Sequence, residues 1–458
     1  MSTRREPTGV VVVGGGLAGI TAALRCADAG YPVTLIESRP YLGGLTYSFR
    51  RGDLDVDNGQ HVFLRCCTSY LALLNRLGVA DRVTLQPRLS IPVRSAGPHR
   101  TAWLRRTGLP APAHLAASLL RYTPLRLAER LRFVPAALAL RRVDPADPAN
   151  DERSFGDWLA AHGQSERAIS ALWDLVGVAT LNATAGQASL ALAATVFQTG
   201  LLTEAPAADM GWSLVPLRQL HGESAVQCLD AAGAVLRTGQ KVDGVEPLGD
   251  RWLVRAREEE HVADHVILAV PPGAAERLLP AGSVPASAGW SARLGSSPIV
   301  NTHVVYDRRV LTEAFIAAVG SPVQWVFDRT RQSGLATGQY LAVSLSAADD
   351  SIDLPVEALR ERLLPALAEL LPAARAAHVR DFFVTRERHA TFRPAPGIGR
   401  LRPPAGTARP GLWLAGAWTA TGWPATMEGA VRSGEAAAAG VLGRREPDPF
   451  SVAEVASR

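Results

Sequence analysis

Lysine is all but missing from this chain. Of 48 basic residues among 458, only Lys241 is a lysine, so the net charge of +5 rests on arginine. That arginine is spread evenly, and no zinc-finger, helix-turn-helix or RNA-binding signature accompanies it, which argues against a nucleic-acid partner. Cysteine is scarce too. Cys26, Cys66, Cys67 and Cys228 have no Cys-x-x-Cys spacing, and Cys66 and Cys67 are adjacent. This excludes a disulfide framework and implies a reducing, cytoplasmic setting. No His-Glu-x-x-His or Cys/His ligand set occurs, so no metal is expected. A run of ~20 uncharged apolar residues is also lacking, so no membrane span is expected. Met1 to Thr8 is short, charged and followed at once by a core-strand pattern, so no secretory signal is expected. With 47% hydrophobic and 20% charged residues the chain is globular, and its length calls for two or three domains.

What is present begins at Val10. Four β-branched residues, Val10–Val13, run into Gly14-x-Gly16-x-x-Gly19 and then into the apolar helical pattern Ile20-Thr21-Ala22-Ala23-Leu24. Gly14 permits a sharp turn, Gly16 lets a pyrophosphate approach the backbone, and Gly19 lets helix and strand pack closely. Orphan N–H groups at the helix start face the phosphate charge. The next strand, Val33–Ile36, ends at Glu37, the offset at which a carboxylate takes ribose hydroxyls. In register, these features predict an adenine-dinucleotide site.

Farther on, character alternates. From Pro87 to Leu202 the chain reads as helical. Leu115–Leu140 mixes Leu, Ala and Arg, with Pro124 and Pro135 expected to cut it into short helices. Ser154 precedes an apolar run as a helix cap. Strand patterns at 240–246, 252–254 and 264–270 return to the dinucleotide domain. Those at 299–306 and 340–345 alternate in polarity, as in an antiparallel sheet solvated on one side. The expected fold is α/β, with a Rossmann-like dinucleotide domain (1–80, 211–272, 380–445) interleaved with an α+β substrate domain (81–210, 273–379). The latter carries an antiparallel sheet and a helical membrane-facing part, and 446–458 is a loose tail.

The opening glycines, Glu37, Gly43-Gly44 and the ending Leu414-Ala415-Gly416-Ala417-Trp418…Gly422-Trp423-Pro424-Ala425-Thr426-Met427-Glu428-Gly429-Ala430 resemble the flavin amine oxidase and phytoene desaturase superfamily. Asp57-Asn58-Gly59-Gln60-His61 and Thr419-x-Thr421-Gly422-Trp423-Pro424-Ala425-Thr426 resemble its squalene-associated branch, the hydroxysqualene dehydroxylases. The resemblance implies FAD. Gly14, Gly16, Leu17, Ala18 and Gly19 would cradle the pyrophosphate, with Gly43, Gly44 and Leu45 at a second turn. Glu37 and Ser38 would hold the ribose, Arg39 the adenine side, and Val242 the adenine through its backbone. Ala269, Gly416, Ala417 and Trp423–Met427 would serve the ribityl chain and ring, with Gly59, Gln60 and His61 along the flavin face. Two departures stand out: Ala417 where many relatives are acidic, and Leu45 where many carry arginine.

It further implies reductive removal of an allylic hydroxyl from a C30 isoprenoid, the electron donor being unspecified. Substrate would be handed over from a hydroxysqualene synthase, at the inner face of the cell membrane. His61 is the first candidate for the acid, with Gln60 and Asp57 beside it, because histidine titrates near neutrality. Trp418 and Trp423 are candidates to shape an isoprenoid channel. The rival readings are a carotenoid-type desaturase, an amine oxidase and a non-catalytic prenyl-lipid escort.

Overall fold

Val10–Val13 (β1) is the middle strand of a five-stranded parallel sheet. A computed structural model describes residues 9–96, 101–257, 259–285 and 287–443, so the expected N-terminal stretch and tail lie outside the described residues. Strand order is Val235–Thr238, Val33–Glu37 (β2), β1, His265–Leu268, Leu412–Leu414, and all four pairings are parallel. A central parallel strand is covered on both faces, which is why β1 is apolar without alternation. Helix α1, Leu17–Asp28, follows the glycine turn and packs on the last described helix, Met427–Val441. They cross so closely that a Cβ on Gly434 would lie 2.3 Å from the Ala18 carbonyl oxygen.

A second, seven-stranded sheet has the order Val379–Thr391, Ser297–Tyr306, Gln339–Leu345, Trp325–Asp328, Phe315–Val319, Ser90–Ser95, Ala102–Arg105. Only the pairing of Phe315–Val319 with Ser90–Ser95 is parallel. The expectation of one solvated face fails here. Ser297–Tyr306 is buried almost throughout. Val300 and Val304 pack under helix Val356–Leu370, and Val305 packs with Val56 on the other face. Alternating polarity in this strand marks two buried environments, one apolar and one polar. Val379–Thr391 pairs along Ser297–Tyr306, so residues 380–391 belong to this sheet and not, as expected, with the dinucleotide part.

Pro124 lies in the turn between helices Ala116–Leu120 and Leu127–Leu140, but Pro135 breaks nothing. Helix Leu127–Leu140 runs straight through it. Pro135 lacks an N–H for the Leu131 carbonyl, yet both residues are exposed, where water satisfies that carbonyl. Ser154 caps Phe155–Ala161 as expected, its Oγ accepting the Asp157 N–H. None of the described helices is long and apolar enough to cross a membrane.

Candidate flavin site and the polar loop beside it

The glycine turn leaves no room for side chains. A Cβ on Gly14, whose φ is +108°, would lie 2.3 Å from the Ala269 carbonyl oxygen, and one on Gly19 would lie 1.9 Å from that of Gly14. Helix α1 starts at Gly16 with no side-chain cap and no acidic residue in its first turn. The N–H groups of Leu17, Ala18 and Gly19 are therefore available to an anion. Gly43 and Gly44 form the second turn, both at positive φ. A Cβ on Gly44 would meet Gly16 Cα at 2.9 Å, so two bare backbones line one cradle. Leu45 is exposed, and its carbonyl accepts from Asn58 Nδ2 at 2.8 Å.

Glu37 closes β2 with its carboxylate turned onto the glycines. It accepts the N–H of Gly15 at 2.6 Å and that of Arg39 at 2.7 Å, and Ser38 Oγ donates to it at 3.0 Å. A carboxylate offers about four lone-pair sites, so a hydroxyl of ribose has one to use. The Arg39 guanidinium lies over Tyr41 and Tyr47, whose rings stack 5.4 Å apart. Val242 is buried at the start of its strand.

The C-terminal loop arrives from strand Leu412–Leu414. Gly416, at φ +144°, lies beneath the Trp418 indole, whose Nε1–H donates to the Val270 carbonyl at 3.0 Å. Trp418 is buried against Trp290, so it belongs to the core and not to a channel wall. Trp423 is only partly buried, with Arg432 over its ring. Ala417 and Pro424–Met427 complete the loop. Thr426 caps Met427–Val441, accepting the Gly429 N–H at 3.1 Å. Glu428 does more than favour its own helix. It accepts the N–H groups of Ser69 (3.2 Å) and Tyr70 (2.7 Å), capping helix Thr68–Arg76, and it pairs with Arg432 at 2.7 Å. Burial raises its pKa above the usual carboxylate range.

Two arginines that no sequence motif singles out organise this region. Arg402 is buried and collects the carbonyls of Ala417, Trp418, Thr419 and Trp423 together with Thr421 Oγ1. Arg329 is buried in an ion pair with Asp57. Their only sequence signal is arginine, which recurs throughout the chain.

The Asp57–His61 loop is where expectation and structure part. Asp57 accepts Ser48 Oγ (2.6 Å) and the Leu217 N–H (3.0 Å) on one oxygen and Arg329 on the other. Both oxygens are engaged, so Asp57 is an anchor and not an acid. His61 Nδ1 lies 3.1 Å from the Gly59 carbonyl, and burial lowers its pKa below the usual histidine value. A carbonyl can only accept, so Nδ1 carries the proton and Nε2 is an acceptor. At neutral pH His61 is therefore no resident proton donor. Gln60 Oε1 and the nearby Asn301 Oδ1 are buried with no hydrogen-bond partner among the described residues. Behind them a polar cavity of about 10 Å³, room for one water, is lined by Asp57, Gln60, His303, Arg329 and Tyr340. Thr385 Oγ1 donates to the Asn58 carbonyl at 3.0 Å, so His303 Nε2–H donates to Thr385 (3.0 Å) and Nδ1 accepts from Tyr340 (2.6 Å).

Residues 17–442 match the family described as flavin containing amine oxidoreductase. The chain is 29% identical over 442 residues to a hydroxysqualene dehydroxylase of Rhodopseudomonas palustris, covering 94% of this chain and 98% of that protein. It is 26% identical over 488 residues to a chloroplastic/chromoplastic zeta-carotene desaturase of Zea mays, covering 95% and 84%. Among solved structures, putrescine oxidase bound to putrescine superposes with a TM-score of 0.72 at 20% identity, covering 95% of this chain and 99% of that one. The fold is thus an FAD-binding Rossmann-like domain joined to a mainly antiparallel sheet, and FAD is the cofactor. The chain belongs to the flavin-containing amine oxidoreductase family and is an FAD-dependent oxidoreductase.

Proposed function

We propose that this flavoenzyme removes the allylic hydroxyl of hydroxysqualene reductively, giving squalene and water, in squalene and hopanoid biosynthesis. The observation that carries this reading is the similarity to the Rhodopseudomonas palustris hydroxysqualene dehydroxylase along nearly the whole of both chains. In the reaction one C–O bond breaks and one C–H bond forms, and the hydroxyl leaves with one added proton. Reduced FAD supplies the two electrons when bound; its own reductant comes from outside the chain.

The residues divide the work. Gly14–Gly19 and Gly43–Gly44 hold the pyrophosphate, Glu37 the ribose, and Gly416, Ala417 and Trp423–Met427 the ribityl chain and ring. His61 Nε2, an acceptor at neutral pH, orients the substrate hydroxyl. Gln60 offers an amide that donates as well as accepts, placing a donor beside the departing oxygen. Arg329 and Asp57 fix that loop to the antiparallel sheet.

A C30 substrate is supplied from a lipid phase, and one face suits that. On helix Leu127–Leu140, Leu127, Leu131, Val134 and Leu138 form one stripe, 60%, 56%, 49% and 41% exposed. Arg126, Arg132, Arg141 and Arg142 are exposed along and beyond it. An apolar stripe bordered by arginines fits the headgroup region of an anionic bilayer, each basic group adding about 1 kcal/mol. In this reading the enzyme works peripherally at the membrane, taking hydroxysqualene from the synthase that makes it.

The similarity to zeta-carotene desaturase favours a second reading, in which a polyene is oxidised on the same scaffold. Incubating the chemically reduced protein with hydroxysqualene and identifying the product by mass separates the two. Squalene supports dehydroxylation. Recovery of intact hydroxysqualene, with desaturation of a carotenoid precursor by the oxidised protein, overturns it.

A further inference from the structure

Among the described residues Arg402 has no counter-ion. It is 6% exposed, and its guanidinium meets only neutral oxygens: the carbonyls of Ala417 (3.2 Å), Trp418 (3.4 Å), Trp423 (2.8 Å) and Thr419, and Thr421 Oγ1 (3.2 Å). The guanidinium lies over Phe392, 4.6 Å from the ring centre. Among the described residues no carboxylate stands within ion-pair distance. Asp151 acts on it from farther away, and its own oxygens accept the Gly399 N–H (2.7 Å) and Ser189 Oγ (2.7 Å). Burial lowers the guanidinium pKa to about 10, so the charge persists at neutral pH.

A buried cation with no partner is costly to keep. A neutral side chain could tie a loop through one or two carbonyls, so loop order alone does not call for a full charge. The loop that Arg402 gathers is Ala417–Trp423, which leads into Met427–Val441, the helix whose start is proposed above to serve the flavin. The carbonyls of one peptide unit after another point inward. The N–H of Trp418, opposite the Ala417 carbonyl in its peptide plane, therefore points the other way. The positive end of helix Met427–Val441 lies at the end of the same loop. Arg402 and the helix end both bring positive charge to this loop, while the Glu428 carboxylate in the helix's first turn is taken up by Arg432 and by the N–H groups of Ser69 and Tyr70.

We propose that Arg402 is the internal cation that poises the bound flavin toward its reduced form, acting through the Ala417–Trp423 loop as a positioning residue. Reduction adds two electrons and, at neutral pH, one proton to the ring, leaving it negatively charged. A fixed cation in a low-dielectric surround stabilises that state relative to the neutral oxidised one. The inference rests on FAD binding and not on the identity of the substrate, so the product assay above leaves it standing or falling by itself.

The test is an anaerobic redox titration of the purified flavoprotein against a dye of known potential, with FAD affinity measured separately on the apoprotein. Arg402→Met should shift the midpoint to a more negative potential, whereas Thr421→Val, which removes one neutral acceptor and no charge, should leave it in place. A flavin-bearing Arg402→Met protein with the wild-type midpoint overturns the proposal. If Arg402→Met does not retain flavin, Arg402→Gln carries the test, because its amide still donates to the loop carbonyls but brings no charge: a more negative midpoint supports the proposal and the wild-type midpoint overturns it. An equally negative midpoint in Arg402→Lys, which keeps the charge, assigns Arg402 a purely structural role and overturns the proposal.

Discussion

Arg329 closes a buried ion pair with Asp57 across 272 positions of sequence, and neither side chain is more than 8% exposed. It ties the strand end Trp325–Asp328 of the antiparallel sheet to the loop that bears Gln60 and His61. Removing one partner strands the other charge in a dry site, which costs about 3–5 kcal/mol. Asp57→Asn and Arg329→Met should each lower the thermal midpoint sharply. The double variant should lose less than the sum of the two, because it buries no lone charge. Additive losses would show that the two residues act independently.

Glu428 caps a helix other than its own. Glu428→Ala leaves the N–H groups of Ser69 and Tyr70 and the Arg432 guanidinium without their acceptor. The expected loss is about 1–2 kcal/mol, the range for a helix cap. Faster amide exchange in Thr68–Arg76 should accompany it. Unchanged exchange there would refute the capping role.

His221 and His303 are buried, and burial lowers both to about 3, from an ordinary value of 6.5. Both are neutral in the fold and take up protons on unfolding. The unfolded chain therefore binds more protons between pH 3 and 6.5, and stability falls as pH falls through that window. Each residue contributes a loss of about 2 kcal/mol between pH 6.5 and pH 5. A thermal midpoint lower at pH 5 than at pH 7, with the difference reduced in His303→Gln, is the expected outcome. His61, lowered for the same reason, places the acid form of the loop below the usual histidine range.

What could be read from the chain was local. β1, the glycine turn, α1, β2 and Glu37 follow one another within about thirty residues, so steric and periodic signals report directly on them. The Ser154 cap is legible for the same reason. What could not be read depends on pairing at long range. The role of Asp57 is set by Arg329, that of Glu428 by Ser69 and Tyr70, and that of Arg402 by carbonyls, which carry no side-chain signal at all. The polarity of Ser297–Tyr306 misled because a buried polar cluster around His303 has the alternation of a solvated face. Proline 135 misled because an exposed helix face tolerates a missing hydrogen bond.

The Leu127–Leu138 stripe makes a further prediction. Leu131→Glu with Leu138→Glu should abolish sedimentation with vesicles containing phosphatidylglycerol. Turnover of detergent-dispersed substrate should be unchanged, since neither residue lies at the flavin site. Undiminished vesicle binding would move the membrane contact elsewhere.

The most direct measurement is anaerobic. The flavin is reduced stoichiometrically, hydroxysqualene is added, and the flavin spectrum is followed while squalene is quantified. Reoxidation of the flavin with one squalene formed per flavin oxidised is the expected result. A flavin that stays reduced in protein that has bound the substrate would contradict it.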